Sequence, residues 1–374
     1  MSHGARDEGR RVGDRPFGGC MSRFVQALAA MLPLACAGGL AACVDQAAGG
    51  GTGSRDQITA VGSSTVYPFT TIVAEQYLAN NPQARPPVVE STGTGAGFKL
   101  FCAGIGAAHP DIEDASRRMR RREYDACAQR GVAAIMEVQI GIDGIAFAEA
   151  RDGPGMALTP ADIYRALAAA PLGRRNAARL WRDVNPALPA IPIQVYGPPA
   201  TSGTRDALAE LIMAKGCEAI EPDTVALHDR DLNAFAARCQ RIREDGAYID
   251  AGENDNLIVQ KLRGNPDALG IFGYGYLEEN SDVVRGVALN GVTPTYATIA
   301  GGTYPGARPL FIYVKKAHVH AIPGLRAFLR QYAALWGADG PLVKRGLIAA
   351  PLAVQRRSSA IIANEVALDP RELP

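Results

Sequence analysis

Three stretches of the 374-residue chain pair hydroxyl side chains with glycine where an apolar run gives way to an amphipathic one. They are Gly62-Ser63-Ser64-Thr65-Val66-Tyr67-Pro68, Ser91-Thr92-Gly93-Thr94-Gly95-Ala96-Gly97-Phe98 and Ala200-Thr201-Ser202-Gly203-Thr204-Arg205-Asp206. A helix start leaves backbone N–H groups unpaired and carries partial positive charge. Glycine lets backbone approach a ligand, and Ser and Thr add rotatable donors. Three such ends together make a cradle of neutral dipoles for an anion. Any one alone is an ordinary helix cap. None has the Lys after the second Gly that a nucleotide-binding P-loop needs. A fourth stretch, Asp111-Ile112-Glu113-Asp114-Ala115-Ser116-Arg117, supplies charge. Arg117 and Arg205 can each offer a bidentate fork to an oxyanion, with Asp114 and Asp206 as competing ion-pair partners.

The same residues argue against other chemistry. His109, His228, His318 and His320 lie outside the hydroxyl stretches and are expected at the surface. No nucleophile-elbow pattern is present, so hydrolysis lacks its base. No cysteines lie at zinc-ligand spacing, and neither a metal nor a cofactor is expected. The 39 Lys+Arg nearly balance 38 Asp+Glu, which excludes a basic nucleic-acid surface. The run Arg117-Arg118-Met119-Arg120-Arg121-Arg122 reads as a solvated helix start, its first Arg excepted.

The elements that must position these loops alternate. Strand patterns at 58–61, 87–90, 132–148, 191–196, 269–272 and 310–314 are interleaved with helix patterns at 65–80, 96–103, 204–214 and 254–262. Thr159-Pro160-Ala161-Asp162 starts another helix. Helices at 322–334 and 341–347 are expected to close the chain. This order predicts an α/β fold with a largely parallel sheet. The segments 137–148 and 307–315 are candidate crossings between two domains. They place residues 57–138 plus 309–374 in one lobe and 139–308 in the other.

Residues 1–43 read as an export region: Arg23, then an apolar stretch from Phe24 to Leu40 ending in small residues. Residues 44–56 form a Gly/Ala-rich tether. Leu40-Ala41-Ala42-Cys43 resembles a bacterial lipobox, which implies that Cys43 carries the lipid. Cys102, Cys127, Cys217 and Cys239 remain after export. An even number in an oxidising compartment predicts two disulfides. Of three connectivities, the local pairs Cys102–Cys127 and Cys217–Cys239 are preferred.

The motifs GSSTVYPF (62–69), STGTGAGFKLFCAG (91–104), DIEDASRR (111–118), IDGIAF (142–147) and SGTRDA (202–207) occur in an order that resembles the phosphate-binding subunit of the high-affinity phosphate ABC transporter. The resemblance covers roughly residues 57–350. It implies a two-lobe periplasmic-binding-protein fold of type II, each lobe a sheet flanked by helices, with a two-strand hinge. It implies a monomeric, non-enzymatic receptor in the periplasm or cell envelope that delivers inorganic phosphate to a membrane permease. Carried over by motif, the anion falls to Ser64, Thr65, Val66, Thr94, Ser202, Gly203 and Thr204; Ser116 and the cations Arg117 and Arg205 join the expected set on their own chemistry. In the best-known branch an Asp follows the Ala-Ser that falls on Ala115-Ser116, and it accepts the proton of hydrogen phosphate. Arg117 stands there instead. Asp143, an ionisable residue in an apolar strand at the expected hinge, is the leading substitute acceptor, and Asp114 the second. Other oxyanions (sulfate, molybdate) and a secreted phosphatase-like hydrolase are the competing readings.

Overall fold

The computed structural model describes residues 55–374 except Glu253. The export region, Cys43 and residues 44–54 of the tether lie outside the described residues.

One curled nine-stranded sheet organises the described chain. Its strands are β1 (Thr59–Gly62), β2 (Val88–Ser91), β3 (Ile112–Ala115), β4 (Ile135–Ala150), β5 (Val195–Gly197), β6 (Tyr248–Asp250), β7 (Leu269–Gly273), β8 (Val284–Gly286) and β9 (Ala307–Lys315). The spatial order is β2-β1-β3-β9-β4-β7-β5-β6, with β8 paired to the end of β4. β1 runs parallel to β2 and β3, and β5 runs parallel to β6 and β7. Between these parallel groups lie the antiparallel neighbours β9 and β4. β4 is 16 residues long and pairs with β9 on the side of the first group and with β7 and β8 in the second, while β9 joins β4 to β3. They cover the segments 137–148 and 307–315 singled out in the sequence, and the fold is the two-lobe α/β class.

Side-chain alternation builds a core on each face of the first group. Leu310, Ile312 and Val314 of β9 pack with Phe69, Val73, Phe328 and Tyr332. Phe311 and Tyr313, one residue out of phase, pack on the other face with Phe98, Phe101 and Met119. The second group has its own core, centred on Phe147, Tyr164, Trp181, Phe235 and Phe272. Each such side chain taken from water contributes about 1.5–3 kcal/mol. Ile348 also packs into the second core and bridges Ile142 of β4, so the chain touches that core again near its end.

The helices that matter to the site are α1 (Tyr67–Asn80), α2 (Thr94–Phe101), α3 (Arg121–Ala128), α4 (Pro160–Leu167), α5 (Gly203–Ala207), α6 (Asp223–Arg230), α7 (Leu232–Cys239), α8 (Asp255–Gly264), α9 (Leu325–Leu335) and α10 (Leu352–Asn364). α4 starts as its sequence dictates: Thr159 Oγ1 accepts from Asp162 N at 3.1 Å, and Asp162 accepts from Thr159 N at 3.0 Å. The pairs Cys102–Cys127 and Cys217–Cys239 are disulfides, matching the local connectivity.

Two expectations need correction at the end of the chain. The segment 341–347 holds only a short turn at Val343–Arg345, stopped by Gly346 in the left-handed region. The closing helix is α10, held by Ser358 Oγ donating to Gln139 O at 2.8 Å and by buried Ile362. The acidic stretch 111–117 also contains an unexpected strand, β3, with both Glu113 and Asp114 buried. Its charged residues hid the strand pattern.

Candidate functional site

The first two hydroxyl stretches and the acidic stretch 111–117 meet at the C-terminal ends of the parallel strands β1, β2 and β3, where open α/β sheets place their ligands. Gly62 is the junction. Its φ of 134° is one that side chains rarely adopt, and an added Cβ would lie 2.9 Å from Asp114 N. Its carbonyl accepts from Thr92 N at 2.8 Å and Gly93 N at 2.7 Å, while Ser63 N donates to Asp114 O at 2.7 Å. Gly97 lets α2 settle there, for its Cβ would come within 2.6 Å of Gly62 Cα. Thr94 Oγ1 and Ser116 Oγ lie 3.0 Å apart, and Ser116 N donates to Thr94 Oγ1 at 3.1 Å. Neither α1 nor α2 has a side-chain cap: the first turn of α1 is closed by Tyr67 N on Ser63 O at 2.9 Å and Phe69 N on Val66 O at 2.9 Å, whereas among the described residues the first N–H groups of α2, from Thr94 to Ala96, are left for a ligand or solvent.

The third loop reaches this cluster from the other lobe. Ser202 Oγ caps α5 by accepting from Thr204 N at 3.2 Å. The position of a Cβ on Gly203 lies 3.4 Å from Thr65 Cα. Ser64 Oγ donates to Asp206 Oδ2. Loops separated by more than 130 residues are thus in contact across the cleft, Ser64 on Asp206 and Thr65 beside Gly203.

Arg308, from β9, ties the cleft to the crossing strands. It is 7% exposed and spends its guanidinium on three elements. Nε donates to Asp143 Oδ2 at 3.2 Å, Nη2 to Thr65 Oγ1 at 3.0 Å and Nη1 to Glu210 Oε2. Arg308 and Asp143 are direct cross-strand partners of β9 and β4. Burial raises the Asp143 carboxyl above its ordinary pKa; Arg308 pulls it down, and Glu210 and Asp206 push it up. Burial likewise raises Asp206, against the Ser64 hydrogen bond and with Glu210 adding to the rise. One buried guanidinium thus faces three carboxylates, and for two of them, Asp143 and Asp206, burial disfavours the charged form.

The other expected residues are placed differently. Val66 is fully buried just before α1. Arg117 turns away from the loops. It forks onto Glu123 at 2.9 and 2.7 Å and lies 5.5 Å from the Phe98 ring centroid, so its ion-pair partner is Glu123 rather than Asp114. Arg205 stacks 4.1 Å over the Tyr248 ring instead of pairing with Asp206. Asp114 faces the lobe core, where Thr70 Oγ1 donates to it at 2.8 Å, and burial raises its pKa to about 7. Thr70 also lies 2.6 Å from Tyr332 Oη. His318 corrects the expectation that all four histidines are on the surface. It is buried, with Nδ1 2.6 Å from Asp111 Oδ1 and Nε2 accepting from Gly106 N at 3.0 Å.

Arg308, Asp206 and Glu210 were not singled out as site residues in the sequence. For Arg308 the signal exists: like Asp143, it is an ionisable residue in an apolar strand at a candidate crossing. Among the described residues no group of His, Cys, Asp and Glu could hold a metal ion.

The sequence matches the family described as PBP superfamily domain over residues 47–333. The chain belongs to the PBP superfamily. It is 32% identical to Protein SphX of Synechococcus elongatus over 71% of this chain and 72% of that protein. It is 28% identical to the phosphate-binding protein PstS of Staphylococcus haemolyticus, over 72% and 74% of the two chains. Among solved structures, a possible phosphate binding protein from Planctomyces limnophilus superposes with a TM-score of 0.66 at 28% identity, covering 82% of this chain and 98% of that one. An ABC-type phosphate transport receptor from Vibrio cholerae, at 20% identity and a TM-score of 0.52, shares the fold over 78% and 99% of the chains. The family resemblance drawn from the five motifs therefore holds. No helix of the described residues is long and apolar enough to cross a membrane.

Proposed function

We propose that this superfamily member is a solute receptor that binds inorganic phosphate between its lobes and delivers it to an ABC permease. The observation that carries this reading is the contact of hydroxyl-rich loops from both lobes, Thr65 against Gly203 and Ser64 on Asp206, beside a buried Arg308. The relatives named for phosphate binding support the choice of ion. Hydroxyls of Ser64, Thr65, Thr94, Ser116, Ser202 and Thr204, the N–H groups at Val66 and Gly203, and the guanidiniums of Arg308, Arg205 and Arg117 are the anion's donors. Arg117 and Arg205 join the set by leaving Glu123 and Tyr248. Asp143, with Asp206 beside it, accepts the proton that hydrogen phosphate carries and sulfate lacks. No bond is made or broken: the lobes, residues 57–138 plus 309–374 and residues 139–308, close about β4 and β9. The receptor works as a monomer in the cell envelope, held by a lipid on Cys43.

The test is calorimetric competition among phosphate, sulfate and molybdate on the purified chain from residue 44. Phosphate binding one-to-one and excluding the other two is the expected result. Preference for sulfate or molybdate would reassign the ion, and turnover of a phosphate ester would overturn the receptor reading.

A further inference from the structure

A second concentration of positive charge lies apart from the hydroxyl loops. Arg117, Arg118, Arg120 and Arg122, with Asp229 and Pro374, line a cavity of about 530 Å³ where α3 faces α6. Three of these guanidiniums have carboxylate partners. Arg117 holds Glu123, Arg118 holds Glu137 at 2.9 Å, and Arg122 reaches Asp229 at 3.6 Å. Arg120 is the exception: among the described residues its guanidinium has neither an ion pair nor a hydrogen bond, though it is half-buried. Burial disfavours its charge and Arg117 and Arg122 repel it, which together outweigh the attraction of Glu123 and Asp229.

An unpaired, partly desolvated cation among like charges is unfavourable, and an anion in the cavity removes the cost. The cavity falls in the range of small-molecule sites, roughly 300–1,000 Å³. Guanidinium forks match phosphoryl oxygens two at a time, and Arg120 has five unused donors. An ion with two charged centres can give one to Arg120 and hold the other among the remaining arginines of the lining, where a single-centred anion has one. Asp229, the acid on the lining, is 70% exposed, so solvent screens its repulsion. We propose that Arg118, Arg120 and Arg122 make this cavity a second anion site, apart from the cleft that Arg117 serves, which takes small polyvalent oxyanions of the condensed-phosphate class.

The experiment titrates inorganic pyrophosphate into the full mature chain already saturated with inorganic phosphate. Wild type is expected to bind one pyrophosphate without releasing phosphate. Arg120→Ser is expected to weaken pyrophosphate binding by at least about tenfold and to change phosphate affinity by less than about twofold. Serine is chosen because Arg120 occupies the extended position before α3, where Ser is a favoured cap. Arg120→Lys, which keeps the charge, should retain most of the binding. Absence of pyrophosphate binding to the saturated protein, displacement of phosphate at a shared site, or an Arg120→Ser protein that binds as wild type does would each overturn the proposal. Should the chain bind no phosphate at all, the titration without it still reads the cavity through its dependence on Arg120. The two sites therefore fail separately.

Discussion

Asp143 and Asp114 show how the same side chain does different work in two settings. Asp143 has one guanidinium beside it and two further acids nearby, at the edge of the cleft. A carboxylate there rewards a ligand that brings a proton. Asp143→Asn should reduce the preference for phosphate over sulfate by at least about tenfold, the worth of one charge-assisted hydrogen bond of ~1.5–3 kcal/mol. Competition calorimetry reads the ratio, and an unchanged ratio would move the acceptor to Asp206. Asp114 instead sits in the core with Thr70, and its folded pKa of about 7 exceeds the unfolded carboxylate value. The unfolded chain loses this proton first as pH rises, so stability falls between roughly pH 4 and pH 7 and is level above. Asp114→Asn removes that loss. Its stability relative to wild type should grow by about 2–4 kcal/mol from pH 4 to pH 8. Denaturant titrations at both pH values measure this, and a constant difference would mean Asp114 ionises as an exposed acid does.

At the scale of elements, the site depends on how closely α2 approaches the end of β1. Gly97 makes that possible, because its missing Cβ would strike Gly62 Cα and the buried Glu113 carboxylate. Glu113 is itself a conspicuous neighbour. Both of its oxygens are buried without a hydrogen-bond partner, and burial holds its pKa well above the ordinary value. Gly97→Ala should cost about 1–3 kcal/mol by overpacking and should pull the Thr94 hydroxyl away from Ser116. Thermal melts and phosphate affinity should fall together. Loss of stability with unchanged affinity would show that the position of α2 does not govern the cleft.

For the whole molecule, the decisive geometry is the pair of crossing strands. β4 pairs with strands of both sheet groups, β9 joins it to β3, and Arg308 and Asp143 face each other on the two. In this structure the lobes touch through Thr65, Gly203, Ser64 and Asp206, with Arg308 and the acids filling the space between. A hinged receptor without its anion should spend part of its time open. Small-angle X-ray scattering should therefore give a smaller radius of gyration after phosphate is added than before, and identical profiles would argue for a rigid cleft.

Much of this protein was legible from local sequence. The hydroxyl-glycine loops announced helix starts, since Ser, Thr and Gly serve those positions for short-range reasons. The capped start of α4 and the two local disulfides followed from equally local patterns. Tertiary structure alone decided the partners of the charges. Nothing in the sequence says that Arg117 turns to Glu123, that Arg205 stacks on Tyr248, or that Arg308 reaches Asp143, Glu210 and Thr65 together. Long side chains choose partners by register and by packing between distant segments, and a β9–β4 pairing separated by more than 150 residues fixes that register only when the sheet forms.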